Sequence, residues 1–312
     1  MTTAIYSHPE CKRHEMGQWH PECPARLQAI EDQIIASRIN GFLEYREAPE
    51  VDVAAIRRVH TENAVACVRE NAASLEGIGS GYYPIDADTM LNAHSWKAAL
   101  RAAGAAVAAT DAVIAGELDN AFCSIRPPGH HARPSEPMGF CLFGNVAIAA
   151  KHALDVHGLQ RVAIVDFDVH HGNGTEEAFL DDTRVMMVSF FQHPFYPYSE
   201  LQASGHMVNV PVPAYTKGDE VRRIVTEQWL PALHAHRPEM IFISAGFDAH
   251  REDDIGQMGL VEADYAWITQ QIMNVAKEHA QGRIVSCLEG GYNLSALGRS
   301  VVAHVKALAE ID

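Results

Sequence analysis

The stretch Arg161–Gly174, RVAIVDFDVHHGNG, opens as a continuous apolar, β-branched run and then sets Asp166, Asp168, His170 and His171 within six residues. A run that is apolar at every position suits a strand buried on both faces, as in the interior of a parallel sheet. Carboxylates at the end of such a strand lie against a core, where an uncompensated charge is costly. Four more runs share this character: Asn120–Ile125 (NAFCSI), Arg184–Phe190 (RVMMVSF), Glu239–Asp248 (EMIFISAGFD) and Arg283–Tyr292 (RIVSCLEGGY). Helical patterns lie between them, at Ser95–Ala115, Gly144–His157, Asp219–His236, Glu262–Ala280 and Ala296–Ile311. Strand alternating with helix predicts an open α/β layer fold. In such sheets ligands bind beyond the C-terminal ends of the strands. The chemically unusual residues of this chain fall at those ends.

The 312 residues are 47% apolar, with no repeat and no Pro/Gly/Ser-rich linker, which predicts one domain over residues 1–312. A formal net charge of −16 opposes a general nucleic-acid binder and favours cationic substrates. The N-terminal MTTAIYSHPECKRHEMG lacks the apolar core of a signal peptide, and Lys97, Arg101 and Asp111 interrupt the Ala-rich segment, so no membrane span is expected. The six cysteines show no CxxC pair or zinc-finger spacing and read as free thiols of a reducing, cytoplasmic compartment, with Cys11–Cys23 the one bridge in principle.

Read as a strand, Asp166, Asp168 and His170 point to one side, and Phe167 and Val169 to the other. Asp168 and His170 then neighbour each other in a geometry that suits two ligands of a divalent ion, and Asp166 is free to orient another group. The alternative is a strand end with solvated acids. Asp248 ends a second buried strand and is a third candidate ligand, although a lone Asp there often only caps a turn. In SIRPPGHHARP a stiff Pro-Pro-Gly turn presents His130 and His131 together, which suits general acid–base work. Gly290 and Gly291 let the backbone approach a ligand. Tyr292 after them either packs on the turn or donates to an oxyanion. A two-metal hydrolase would need carboxylates where Phe167 and Val169 stand.

Taken together, HPECPARL, RPPGHHA, GFCLFGNVAIAA, DFDVHHGNGTEEAF, SAGFDAH, GQMGL and LEGGYN resemble the histone deacetylase superfamily, which also includes acetylpolyamine amidohydrolases and acetoin-utilisation proteins. The resemblance spans nearly the whole chain, and Asn173 is similar to class II. It implies a three-layer αβα fold of the arginase/deacetylase type, with a mostly parallel sheet of about eight strands. It implies Asp168, His170 and Asp248 as ligands of zinc, with Fe²⁺ or Co²⁺ able to substitute. It implies His131 as the base for water and the acid for the leaving amine, His130 paired with Asp166 as an electrostatic partner, Asn173 behind His131, and Tyr292 polarising the scissile carbonyl. Gly139, Phe140, Tyr196 and Ile255, with Gly290 and Gly291, would line the acyl-lysine tunnel, with Tyr196 standing where the family usually has Phe. Arg26 would face the acetate channel. A structural potassium ion would involve Asp166, Asp168, His170, Ser189 and Phe190.

The implied activity is hydrolysis of acetyl or other short acyl groups from lysine side chains on a peptide or protein, with hydroxamate-type compounds as inhibitors. Acetylated polyamines are the alternative substrate, and a weakly active acyl-lysine binder is a remote one. Ile255, in DDIGQM, stands where the polyamine-selective class II relative carries Glu, and an apolar residue cannot select a second ammonium by charge. Asp253 and Asp254 could reach the tunnel mouth and do so instead. His94 and Ser95 read as a helix N-terminus with Ser95 as cap.

Overall fold

The computed structural model describes residues 1–78, 81–199 and 204–311. Its strands in chain order are β1 (Thr3–Ser7), β2 (Leu43–Glu47), β3 (Tyr83–Pro84), β4 (Met90–Leu91), β5 (Asn120–Cys123), β6 (Val162–Asp166), β7 (Val185–Gln192), β8 (Met207–Val212), β9 (Ile241–Ala245) and β10 (Ile284–Leu288). β3 and β4 form a small antiparallel hairpin. Among the described residues the other eight make one sheet in the order β2-β1-β5-β10-β9-β6-β7-β8, with every neighbouring pair parallel. β5, β6, β7, β9 and β10 are buried at every position, as continuous apolar runs require. The edge strands β2 (LEYRE) and β8 (MVNVPV) are partly solvated and carry mixed sequence.

Helices cover both faces. Thr3 and Tyr6 differ in parity along β1 and so point to opposite sides. Thr3 Oγ1 donates to Leu308 O at the end of the helix Leu294–Leu308, whereas Tyr6 OH donates to Ala108 O within the helix Ser95–Ile114. The helices Ala25–Ala36 and Glu262–His279 flank Leu294–Leu308, and Asn145–Asp155 lies beside Ser95–Ile114. The layers are therefore αβα. The segment 218–236 is helical throughout but contains a π turn, Val225–Trp229, between Gly218–Ile224 and Leu230–His236. No helix among the described residues is long and apolar enough to cross a membrane.

Two local expectations differ from the structure. β6 ends at Asp166, so Asp168 and His170 lie in the following turn and are not strand neighbours. Ser95 is not the cap of its helix: His94 occupies that position without a side-chain capping bond, and the buried Ser95 Oγ accepts from Asn92 N–H (2.8 Å) and pairs with His14 Nδ1 (2.8 Å).

Candidate active site

The parallel sheet brings the ends of β5, β6, β9 and β10 to one edge. The turn after β6 is organised by the carboxylates themselves. Asp166 Oδ1 accepts from Asp168 N–H (3.1 Å), and Asp168 Oδ1 accepts from His170 N–H (2.8 Å). This is the side-chain-to-backbone turn that Asp forms readily. It carries the His170 ring back so that Nδ1 lies 2.9 Å from Asp168 Oδ1. Asp248, three residues beyond β9, fixes its Oδ1 on Val169 N–H (2.9 Å). Its Oδ2 lies 3.2 Å from His170 Nδ1 but takes no hydrogen bond. Gly290 N–H donates to Asp168 Oδ2 (2.9 Å), and a Cβ at Gly290 would overlap Asp248 Oδ2 and Asp168 Oδ2. The sequence LEGG is thus a steric requirement of this cluster.

Asp168, His170 and Asp248 are buried, and their donor atoms converge. Burial opposes charge on His170, but Asp168 and Asp248 overcome it and lift its pKa to about 9. Burial, followed by the Asp168 charge, raises Asp248 to about 6. A proton shared by two buried carboxylates is a poor substitute for a divalent cation, and the orphaned Asp248 Oδ2 marks where one fits. Two carboxylates and an imidazole suit a first-row metal.

The loop after β5 adds the histidine pair. His130 Nδ1 meets Asp166 Oδ2 at 3.0 Å, and the two histidine rings lie 4.0 Å apart. Burial disfavours charge on His130, but Asp168 and Asp166 hold its pKa well above the ordinary histidine value. His131 is the opposite case: burial first, then the His130 and His170 charges, hold it well below. Its Nδ1 lies 2.8 Å from Asn173 Oδ1, an acceptor, so Nδ1 carries the proton and Nε2 is free. Two adjacent imidazoles with pKa values pushed apart suit separate electrostatic and proton-transfer work.

A cavity of about 360 Å³ opens over these groups. Among its lining residues are His131, His170, Gly139, Phe140, Tyr196, Ile255 and Tyr292. Gly139 and Phe140 both have positive φ (57° and 68°), which turns the Phe140 ring edge-on to Tyr292 at 5.8 Å. A Cβ at Gly139 would press on the His131 ring and Tyr196 OH. Tyr196 stands edge-on to His131 at 5.2 Å. Burial keeps the Tyr292 phenol protonated, well above its ordinary pKa, so it remains a donor.

Arg26 lies beneath Tyr292, its guanidinium 4.9 Å from the ring centre, and Nε donates to Gly291 O (2.7 Å). Asp166 and Ser189 are register partners in β6 and β7. Phe190 follows Ser189 and stacks on Trp229, while Ser189 O accepts the Trp229 indole N–H (3.2 Å).

Sequence reasoning missed several participants. Phe195 stacks on His170 at 5.4 Å, and His20 stands edge-on to Phe140 at 4.6 Å. Glu22 is buried between Arg26 and Arg126, accepting 3.1 Å and 2.6 Å bonds, and Arg26 with Glu22 one turn before it was the available clue. Glu289 accepts from Gly129 and His130 N–H groups (2.6 and 3.1 Å) and braces the histidine loop. Asp253 does not reach the mouth. It is buried and accepts N–H bonds from Tyr292 (2.6 Å), Asn293 (2.9 Å) and Ile255 (3.0 Å), which leaves it no role as a charge selector.

A parallel αβα sheet with an acid–imidazole cluster under a small cavity at its C-terminal edge has the layout of an active site suited to metal-assisted hydrolysis. The family model described as the histone deacetylase domain matches residues 20–308, and the chain belongs to the histone deacetylase family. Histone deacetylase 14, chloroplastic, of Arabidopsis thaliana is 37% identical over 311 residues, covering 94% of this chain and 74% of the relative. A probable deacetylase of Archaeoglobus fulgidus is 37% identical over 325 residues, covering 100% of this chain and 88% of the relative. The crystal structure of the HDA15 HD domain superposes with a TM-score of 0.93 at 32% identity, covering 99% of this chain and 88% of that one.

Proposed function

We propose that residues 1–312 act as one catalytic domain, a class II-like zinc-dependent amidohydrolase that removes acetyl or another short acyl group from acyl-lysine side chains. The observation that carries this reading is the convergence of Asp168, His170 and Asp248 beneath a cavity that His131 and Tyr292 share. These three residues would hold the zinc ion, and Fe²⁺ or Co²⁺ would fit the same donors. Such an ion polarises a carbonyl and lowers the pKa of water to about 7.

The chain's own residues supply the rest. His131 Nε2 takes the proton from the attacking water and returns it to the leaving amine. Its low pKa keeps it neutral and ready for the first transfer. His130, kept cationic by Asp166, contributes positive potential rather than proton transfer. Tyr292 O–H donates to the developing oxyanion. Gly139, Phe140, Tyr196, Ile255, Gly290 and Gly291 enclose the lysine stem, Arg26 receives the acetate, and backbone carbonyls among Asp166, Asp168, His170, Ser189 and Phe190 hold a structural potassium ion. Six free thiols agree with a reducing compartment such as the cytoplasm. Hydroxamates, as bidentate metal binders, should inhibit.

Acyl-lysine is preferred over acetylated polyamine because Ile255 is apolar and Asp253 is committed to backbone amides, while Asp88, which also lines the cavity, is the acid through which the reverse preference would arise. The test is kcat/KM of zinc-loaded protein on an acetyl-lysine peptide and on acetylputrescine, side by side. The peptide should be the better substrate, and the reverse order would make the protein a polyamine amidohydrolase. Tyr292→Phe should keep its metal and lose about 100-fold or more in kcat. Asp248→Ala should lose the metal of this site. A fully active Tyr292→Phe would remove the oxyanion role.

A further inference from the structure

Two groups of histidines and carboxylates lie away from this site, and they differ in how closely the carboxylate holds the ring nitrogens. In the first, His152 and His157 aim Nε2 at the same Asp111 oxygen, at 2.7 and 2.6 Å. These are hydrogen-bond lengths. Arg58, which can only donate, lies 3.4 Å from His152 Nδ1. That nitrogen is therefore an acceptor, and the ring proton sits on Nε2, where it serves Asp111. The cluster satisfies itself and offers no free lone pair at His152 Nε2.

The second group is built by the last turns of two helices. His234 belongs to Leu230–His236, and Glu278 and His279 end Glu262–His279. His234 Nδ1 and His279 Nε2 share a hydrogen bond at 3.0 Å, whose one proton an ion would replace. The two Glu278 oxygens lie 3.5 Å from these nitrogens, one against each, too far for good hydrogen bonds. Among the described residues no arginine or lysine donates to either of these ring nitrogens. Ligands about 2.0–2.1 Å from a tetrahedral zinc stand about 3.3 Å from one another, between the 3.0 Å separating the two nitrogens and the 3.5 Å from each nitrogen to its nearer Glu278 oxygen. Both helices end here, so both present their negative ends to the group, which favours a cation. His234 and Glu278 are exposed, so the remaining coordination positions are open to water.

We propose that His234, Glu278 and His279 form a second, peripheral site for a divalent first-row transition ion, with Zn²⁺ or Co²⁺ as occupant. The site lies just before β9 and β10 begin, at the opposite edge of the sheet from the catalytic cluster. Its ion would tie the last turns of the two helices together and take no part in amide hydrolysis. Arg161, Arg237 and Arg283 line the same cleft as Glu278 and His279 and oppose a cation, so this site is the weaker of the two.

The test is calorimetric titration of tag-free, chelator-stripped protein with Zn²⁺, repeated with Co²⁺ to read the visible spectrum of the bound ion. The wild type should take two equivalents, one tight and one weak. His279→Ala and His234→Gln should each lose the weak equivalent while the zinc-loaded kcat/KM stays unchanged. Asp248→Ala should lose the tight one only. A single equivalent in the wild type overturns the proposal. So does a weak equivalent that survives both His279→Ala and His234→Gln, or one lost instead in His157→Ala.

Discussion

Asn173 holds the His131 ring through a neutral amide, and His131 works only as a neutral base at the outset. Its pKa lies below the ordinary value because burial, followed by the neighbouring His130 charge, disfavours the imidazolium. A carboxylate at position 173 would stabilise that cation and raise the pKa by about one unit or more. In Asn173→Asp the acid limb of the kcat/KM profile should therefore move to higher pH, with less activity retained on the acid side. An unmoved limb would separate Asn173 from the base. Asp253 makes a second residue-scale claim. Losing an acceptor shared by three N–H groups should let the Tyr292 and Ile255 segments shift. We expect Asp253→Ala to lower kcat about 10- to 100-fold, from the cost of about 1.5–3 kcal/mol for a charged hydrogen bond, with metal content unchanged. Asp253→Asn, which keeps one acceptor oxygen, should recover part of kcat. The sequence showed the DDIGQM segment but not the burial of Asp253, because which of two adjacent acids turns inward is decided by amides on a different strand's exit loop.

At the scale of elements, the helix Ser95–Ile114 shows how packing overrides propensity. Gly104 in its middle costs helix stability relative to Ala. Yet a Cβ there would overlap Pro49 O and press on Val51 N, so the helix lies directly on the backbone of the segment after β2. Gly104→Ala should lower stability by about 1–3 kcal/mol despite its better propensity, read as a fall in Tm. A rise in Tm would mean that contact is loose. The same balance decides which elements a reader of the sequence can find. β5, β6, β7, β9 and β10 are legible because burial on both faces leaves a continuous apolar run. β1, β2 and β8 are not, because TAIYS, LEYRE and MVNVPV carry polar residues that their edge or near-edge positions tolerate. Asp168 and His170 were legible as neighbours for an incomplete reason. Strand alternation predicts the pairing, and a carboxylate-organised turn produces it. Arg26 could be placed near a channel only by resemblance, and Glu22 was not placed at all, since its burial depends on Arg126 from a distant loop.

Across the whole molecule the charge is one-sided, with 24 Lys and Arg against 40 Asp and Glu. The negative field extends to the cavity mouth. Asp88 lines it, and burial followed by the Asp86 and Asp88 charges pushes the Tyr196 phenol up. Such a field steers cationic substrates towards the site and is screened over about 8 Å at physiological ionic strength. The proposed acyl-lysine side chain is itself neutral, so steering must act on the charges around it. An acetyl-lysine peptide flanked by lysine or arginine should therefore lose kcat/KM as salt rises, mainly through KM. The same peptide with neutral flanks should respond little. Asp86→Asn with Asp88→Asn should flatten the salt dependence of the basic peptide and leave the neutral one unchanged. If the two peptides respond equally to salt in the wild type, the acidic surface serves solubility and the cavity alone selects the substrate.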